Sequence, residues 1–134
     1  MNKNKVFFVL AVLAMVALLL TACGVDKTKP GTAVNLTGDP VAGKVVFDAN
    51  CAKCHGAAGV GGVSNPGSAD ETVPGLAPID PGFNTVASMD LEVQHGSEPE
   101  GNNPTLQMAA YGDKNLLTQQ QIADVIAYVL SLNK

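Results

Sequence analysis

The residues whose spacing most directly indicates chemistry are two cysteines and a histidine, in the Cys-x-x-Cys-His motif at residues 51–55. A pair of thiols so spaced, with an imidazole directly after the second, is the attachment motif of c-type haem. One helical turn places Cys51 and Cys54 where both sulfurs can add to the vinyl groups of one porphyrin, and His55 then directs a ring nitrogen at the iron. The motif predicts one covalently bound haem c, with His55 as the proximal axial ligand.

A bare Cys-x-x-Cys pair has two other uses, a redox dithiol or half of a zinc site. Neither use requires a histidine immediately after the second cysteine. A zinc site would need two further ligands of the Cys or His type, and the chain has only three cysteines and two histidines. The motif therefore favours haem.

The N-terminus has the layout of a bacterial secretory signal. A basic start at residues 1–5 precedes an apolar run from Val6 to Leu20, and small residues lead to Cys23. The run Leu-Thr-Ala-Cys that ends at Cys23 resembles the bacterial lipoprotein box, in which the cysteine receives a diacylglycerol and becomes the mature N-terminus. We expect a signal peptide over residues 1–22 and lipidation of Cys23.

The alternative reading of this segment is an uncleaved membrane anchor. The apolar run is shorter than the roughly 20 residues that cross a hydrocarbon core. Several acyl chains, at about 0.8 kcal/mol per buried CH₂, would also hold the protein durably. Both readings predict an extracytoplasmic protein that is anchored to a membrane.

The charge balance limits the class of partner. After residue 22 the chain keeps six lysines against twelve acidic residues, a net charge of −6, and it has no arginine. Phosphate contacts come mainly from clustered Lys and Arg, so a nucleic-acid function is excluded. We expect redox protein partners that present a basic docking face.

Large apolar side chains are scarce. Beyond the predicted signal peptide the aromatic residues are Phe47, Phe83, Tyr111 and Tyr128, and the chain has no tryptophan. Such a chain buries little surface by itself, and a porphyrin would supply the missing core. We therefore expect the haem-free polypeptide to be largely disordered.

The pattern along the chain predicts an all-α domain over residues 39–134, preceded by a lipidated and flexible tether over residues 23–38. Asp39 and a following proline start a helix that runs to about Cys51. A short helix is expected over residues 89–94, and a final amphipathic helix begins at Thr118 with a capping box. No segment shows a convincing strand pattern.

With these elements placed, residues 39–134 resemble the class I cytochromes c. In that family an N-terminal and a C-terminal helix cross through a glycine and aromatic side chains, and the haem site follows the first helix. Gly43 and Phe47 match one side of this contact, and Tyr128 matches the other. The resemblance implies a small cytochrome c fold around one covalently bound haem.

The same resemblance implies residues around the proximal ligand. A proline carbonyl is expected to accept the other ring proton of His55, and Pro74 in the run Pro-Gly-Leu is the first candidate, ahead of Pro66. Leu76 would lie against the porphyrin. The stretch Ser64 to Thr72 lengthens this loop relative to the family pattern.

Three residues compete for the sixth position on the iron. The run Met-Ala-Ala-Tyr-Gly at residues 108–112 resembles the family's Met-Pro-x-Phe-Gly ligand loop, with Ala109 where the family has proline. Met89 has the character of a core filler in a helix. His95 stands at a helix C-terminus, where a histidine is favourable for dipole reasons. We predict Met108 as the distal ligand, with His95 as the alternative.

His/Met ligation raises the reduction potential and fills both axial positions, which suits electron transfer. The leading expectation is an electron carrier, rather than an enzyme, between membrane respiratory or photosynthetic complexes. The alternative is a fixed haem c subunit of a larger membrane oxidoreductase complex. A third possibility is an enzyme or gas sensor whose iron has an open position.

Overall fold

The structure is a computed structural model that describes residues 26–134. The predicted signal peptide, Cys23 and the first tether residues lie outside this range. The described chain forms four α-helices: α1 (Pro40–Asn50), α2 (Ala52–His55), α3 (Val86–His95) and α4 (Gln119–Leu132). Short 3₁₀ turns lie at Thr32–Asn35, Ala57–Gly59 and Pro81–Phe83. Residues 26–134 contain two isolated bridges and no strand, so the all-α prediction is confirmed.

The helix ends follow from local side-chain chemistry. The Asp39 carboxylate accepts the N–H of Val41 at 2.8 Å, which fixes the start of α1. Thr118 and Gln121 form the predicted reciprocal capping box at the start of α4. Helix α3 begins three residues before its predicted start, because Thr85 forms a further capping box that was not predicted.

Helices α1 and α4 form the largest interhelical contact of the described fold. A Cβ at Gly43 would collide with the carbonyl oxygen of Asp124 and lie 3.0 Å from Cβ of Tyr128, so only glycine permits this approach. The Phe47 and Tyr128 rings meet with centroids 5.2 Å apart at 59°. The predicted contact of a glycine and two aromatic rings is confirmed.

Part of the expected tether is packed against the helices. Ala33 is fully buried, and its N–H donates to Gln119 Oε1 at 2.9 Å. Gln120 Nε2 donates to the carbonyl oxygen of Thr37 at 3.0 Å. The polar start of α4 therefore holds residues 32–37 in place.

Of the helices in residues 26–134, none is both long enough and apolar enough to cross a membrane.

Candidate haem site

The Cys-x-x-Cys-His motif lies at the break between α1 and α2. The Cys51 N–H donates to the carbonyl of Phe47 at 2.8 Å, which closes the last turn of α1. The carbonyl of Cys51 then accepts the N–H groups of Cys54 and His55 at 3.1 and 2.9 Å. A single tight turn thus carries both thiols and the imidazole, and all three side chains are half-buried.

Two adjoining cavities surround this turn. The larger, of about 360 Å³, is mainly apolar and is walled by Phe47 of α1, by Met89 of α3 and by one face of α4. The smaller cavity, of about 230 Å³, is lined by Cys54. Five residues line both cavities: Cys51, His55, Pro74, Ser97 and Met108. Interiors of proteins are close-packed, so an apolar space of this size marks the place of a large bound group.

His55 is held in one tautomer. Its Nδ1 lies 3.1 Å from the carbonyl oxygen of Pro74, and a carbonyl only accepts, so Nδ1 carries the proton and Nε2 keeps its lone pair. Burial lowers the pKa of His55 and outweighs the hydrogen bond to Pro74, which raises it. The lowered pKa keeps the ring neutral near pH 7. The carbonyl of Pro66, the weaker candidate, instead accepts the N–H of Thr105 at 3.1 Å.

The two other uses of a Cys-x-x-Cys pair find no support. Burial, with a smaller contribution from Cys54, raises the pKa of the Cys51 thiol to about 11, whereas redox dithiols need a lowered thiol pKa. Across residues 26–134, no three His, Cys, Asp or Glu side chains come together as a metal site would require. The residues fit covalent haem attachment better than either rival.

Met108 lines both cavities from the segment that precedes α4. Its N–H donates to the carbonyl of Ser97 at 3.1 Å, which ties this segment to the end of α3. Met89 also lines the larger cavity, but it belongs to the buried core of α3 and is 6% exposed. Leu76 lines the same cavity.

His95, the alternative distal ligand, lies outside both cavities. Its Nδ1 lies 2.9 Å from the Asp113 carboxylate, and its Nε2 donates to the carbonyl of Lys29 at 2.8 Å. Both ring nitrogens are therefore engaged away from the site. Asp113 and Lys29 are distant from His95 in sequence, so no local pattern predicted this orientation.

Several residues of the site were not predicted from the sequence. Ile79 and Phe83 line the larger cavity from the segment between the Pro74 loop and α3. Asn65 lines the smaller cavity from the lengthened loop, where its side chain is almost wholly buried. A buried asparagine needs hydrogen-bond partners, but a sequence does not show which residues those partners are.

Comparisons with known proteins agree with this geometry. The family model described as cytochrome c matches residues 40–133. Cytochrome c6 of Rippkaea orientalis is 34% identical over 121 residues, which cover 89% of this chain and 90% of that protein. Cytochrome c-555 of Prosthecochloris aestuarii is 35% identical over 89 residues, or 66% of this chain and 83% of that protein.

A cbb3-type cytochrome c oxidase subunit CcoP, from Azospirillum brasilense, is 32% identical over 114 residues, which cover 82% of this chain. The chain spans about a third of the length of the two oxidase subunits it matches, 35% of one and 30% of the other. No solved structure matches the chain significantly. From the family match, the helical fold and the Cys51–His55 motif, the chain belongs to the cytochrome c family, as a class I protein with one covalently attached haem c.

Proposed function

We propose that this protein carries single electrons between membrane respiratory or photosynthetic complexes. The observation that supports this most directly is that His55 and Met108, from distant parts of the chain, line the same two cavities. When bound, the haem supplies an iron that alternates between the ferrous and ferric states. Nε2 of His55 and the thioether of Met108 are the atoms that would ligate it, and with both axial positions filled the protein is a carrier rather than an enzyme or gas sensor.

The surrounding residues suit repeated electron exchange. The Pro74 carbonyl fixes the plane and tautomer of His55, and the Ser97 carbonyl holds the main chain of Met108. Apolar side chains of α3 and α4 line much of the larger cavity, which disfavours water there. A ligand set that is held in place before and after transfer needs little rearrangement.

Carbon monoxide and the weak far-red absorption of an oxidised iron–methionine bond test this ligation. We expect the reduced wild type to bind little carbon monoxide at neutral pH and the oxidised wild type to show the far-red band. Met108→Ala should lose the band and bind carbon monoxide. Met89→Leu removes the other thioether at the cavity with little change in volume, so it should keep the band. Persistence of the band in Met108→Ala would contradict the axial assignment.

The relatives support two forms of this function. Cytochrome c6 and cytochrome c-555 match this chain over most of their own length, which supports a small separate carrier. The CcoP subunits match over about a third of theirs, which supports the alternative of a fixed haem c subunit in a larger membrane oxidoreductase. After mild detergent extraction, recovery of the protein alone would favour the carrier, whereas stoichiometric copurification with a membrane enzyme would favour the subunit.

We also propose an extracytoplasmic location, with membrane anchoring through a lipid on Cys23. The support is the lipoprotein-like run that ends at Cys23. Separately, the excess of acidic over basic residues supports a redox partner with a basic docking face. Cys23→Ala should remove the lipid and release the protein if the signal is still cleaved. The intact mass of the wild type separates the two readings: a chain that begins at a lipid-modified Cys23 would support the lipoprotein, whereas the full chain with an unmodified Cys23 would favour the uncleaved anchor.

A further inference from the structure

Asn65 and Leu106 are joined by two hydrogen bonds across 41 positions of sequence. Asn65 Oδ1 accepts the Leu106 N–H at 2.7 Å, and Nδ2 donates to the Leu106 carbonyl at 3.2 Å. A main-chain N–H only donates and a carbonyl only accepts, so the orientation of the amide is fixed. The side chain of Asn65 thus bonds both the N–H and the carbonyl of Leu106, as the main chain of a neighbouring β-strand would.

Asn65 is itself held firmly. It is 2% exposed, its N–H donates to the carbonyl of Glu71 at 2.8 Å, and its carbonyl accepts the Ser68 hydroxyl at 2.8 Å. An antiparallel bridge between Ser64 and Thr72 closes the same loop. The lengthened stretch from Ser64 to Thr72 is therefore a folded support that presents one amide to Leu106.

Leu106 stands two residues before Met108, so the main chain of the ligand segment is restrained on its N-terminal side. On the other side of Met108, the Tyr111 hydroxyl donates to the carbonyl of Asn50 at 2.8 Å. Ala109 follows Met108 where the resembling family has proline, so the restraint on φ that a proline ring provides is absent here. Hydrogen bonds from other parts of the fold take its place.

We propose that Asn65 is a positioning residue for the distal ligand, which holds the Met108 segment so that its thioether stays on the iron. This inference rests on the proposed ligation by Met108. Asn65 contacts the segment rather than the iron, and its loss frees the Leu106 main chain. Without this restraint, the Met108 thioether would be held less firmly as the distal ligand, and outside ligands would compete with it more easily.

The test compares Asn65→Ala with Ser68→Ala in the full, haem-loaded protein. Ser68→Ala removes a buried hydrogen bond of the same loop but leaves both Asn65–Leu106 bonds, so it controls for loop stability. Relative to wild type, Asn65→Ala should increase the open-iron fraction in carbon monoxide binding by roughly tenfold, equal to about 1.4 kcal/mol. As pH is raised, it should also lose the far-red band at a lower pH than wild type does, whereas Ser68→Ala should change both readouts far less.

An unchanged band and unchanged carbon monoxide binding in Asn65→Ala would overturn the inference while leaving the proposed function intact. Equal changes in the two variants would overturn it as well, because loop stability alone would explain them. Absence of the far-red band from wild type would instead defeat the ligation by Met108, and the inference with it.

A measurement on the unaltered protein covers the case in which Asn65→Ala fails to fold. Hydrogen exchange in the haem-loaded wild type should place the Leu106 N–H among the slowly exchanging amides, because a buried carboxamide accepts it. The Gln107 N–H, for which the structure shows no hydrogen-bond partner in the described chain, should exchange faster. Rapid exchange at Leu106 would overturn the inference.

Discussion

His95 and Asp113 form an ion pair in which Nδ1 lies 2.9 Å from Oδ2 and the two side chains are only 7% and 15% exposed. The second ring nitrogen of His95 donates to the carbonyl of Lys29 at 2.8 Å. One imidazolium thus joins three distant parts of the chain: the end of α3, the segment that follows Met108, and the N-terminal segment that packs beside α4.

This arrangement predicts a pH dependence of stability. Burial lowers the pKa of His95, but the hydrogen bonds to Asp113 and to the Lys29 carbonyl outweigh it and raise the pKa above 6.5. The stabilisation is therefore complete below the unfolded value of about 6.5 and is lost as pH rises through the folded-state pKa. Urea unfolding of wild type and His95→Gln should show a stability difference that shrinks as pH rises from 6 to 9. A difference that stays constant over this range would contradict the prediction.

At Asp90 we expect a substitution that stabilises the folded protein. Its side chain is fully buried in α3, and neither carboxylate oxygen has a hydrogen-bond partner among the described residues. The N–H of Gly31 favours the charged carboxylate of Asp90, although it makes no well-formed hydrogen bond with it. Burial dominates and raises the pKa of Asp90.

An ionised Asp90 therefore costs stability at neutral pH, and the cost falls as pH drops through its raised pKa. Replacing the charge with a neutral amide in Asp90→Asn should increase the free energy of unfolding by about 1 to 3 kcal/mol at pH 7. Near pH 4 the two proteins should be almost equally stable. Denaturant titrations at both pH values check this, and a destabilised Asp90→Asn at pH 7 would show that the charge has a partner after all.

A side chain at position 43 should produce a steric clash at the crossing of α1 and α4. Gly43→Ala would drive a methyl group into the Asp124 carbonyl, and a main-chain atom in a packed helix cannot move aside cheaply. We expect a loss of about 2 to 3 kcal/mol in the free energy of unfolding, or failure of the holo protein to accumulate. Gly82→Ala is the matched control, since the added methyl group meets only the exposed Asp80 carboxylate. Equal effects of the two substitutions would argue against a glycine-dependent crossing.

The haem-free chain should not fold cooperatively. The side chains that line the larger cavity from α1, α3 and α4 face a space of about 360 Å³, and without a bound group they lose the contacts that would offset chain entropy. A Cys51→Ala, Cys54→Ala double variant without haem should therefore give a broad, weakly cooperative thermal transition by circular dichroism. A sharp transition would show that the polypeptide forms its core unaided.

The sequence predicted those parts of the fold that depend on short-range patterns. The caps at Asp39 and Thr118, the glycine and aromatic contact, and the turn of the haem motif all follow from residues within a few positions or from one family pattern. The packing of Ala33 under Gln119 and the orientation of His95 depend on residues tens of positions apart. Hydrogen bonds at that range leave no period in the sequence, so only the folded structure shows them.

The support of the ligand segment by Asn65 belongs to the same class. The lengthened loop from Ser64 to Thr72 and the alanine at position 109 were both visible as departures from the family pattern. Their connection became visible only when the fold placed Asn65 against Leu106.

The central claim is that a porphyrin is bonded to Cys51 and Cys54, with His55 on its iron. The most direct measurement is the intact mass of protein that is exported with its native signal in cells with the haem-attachment machinery, read together with its visible spectrum after denaturation. We predict the mass of the processed polypeptide and its lipid plus one haem, with the haem absorption remaining on the chain. A colourless protein with the mass of the bare polypeptide would contradict the account.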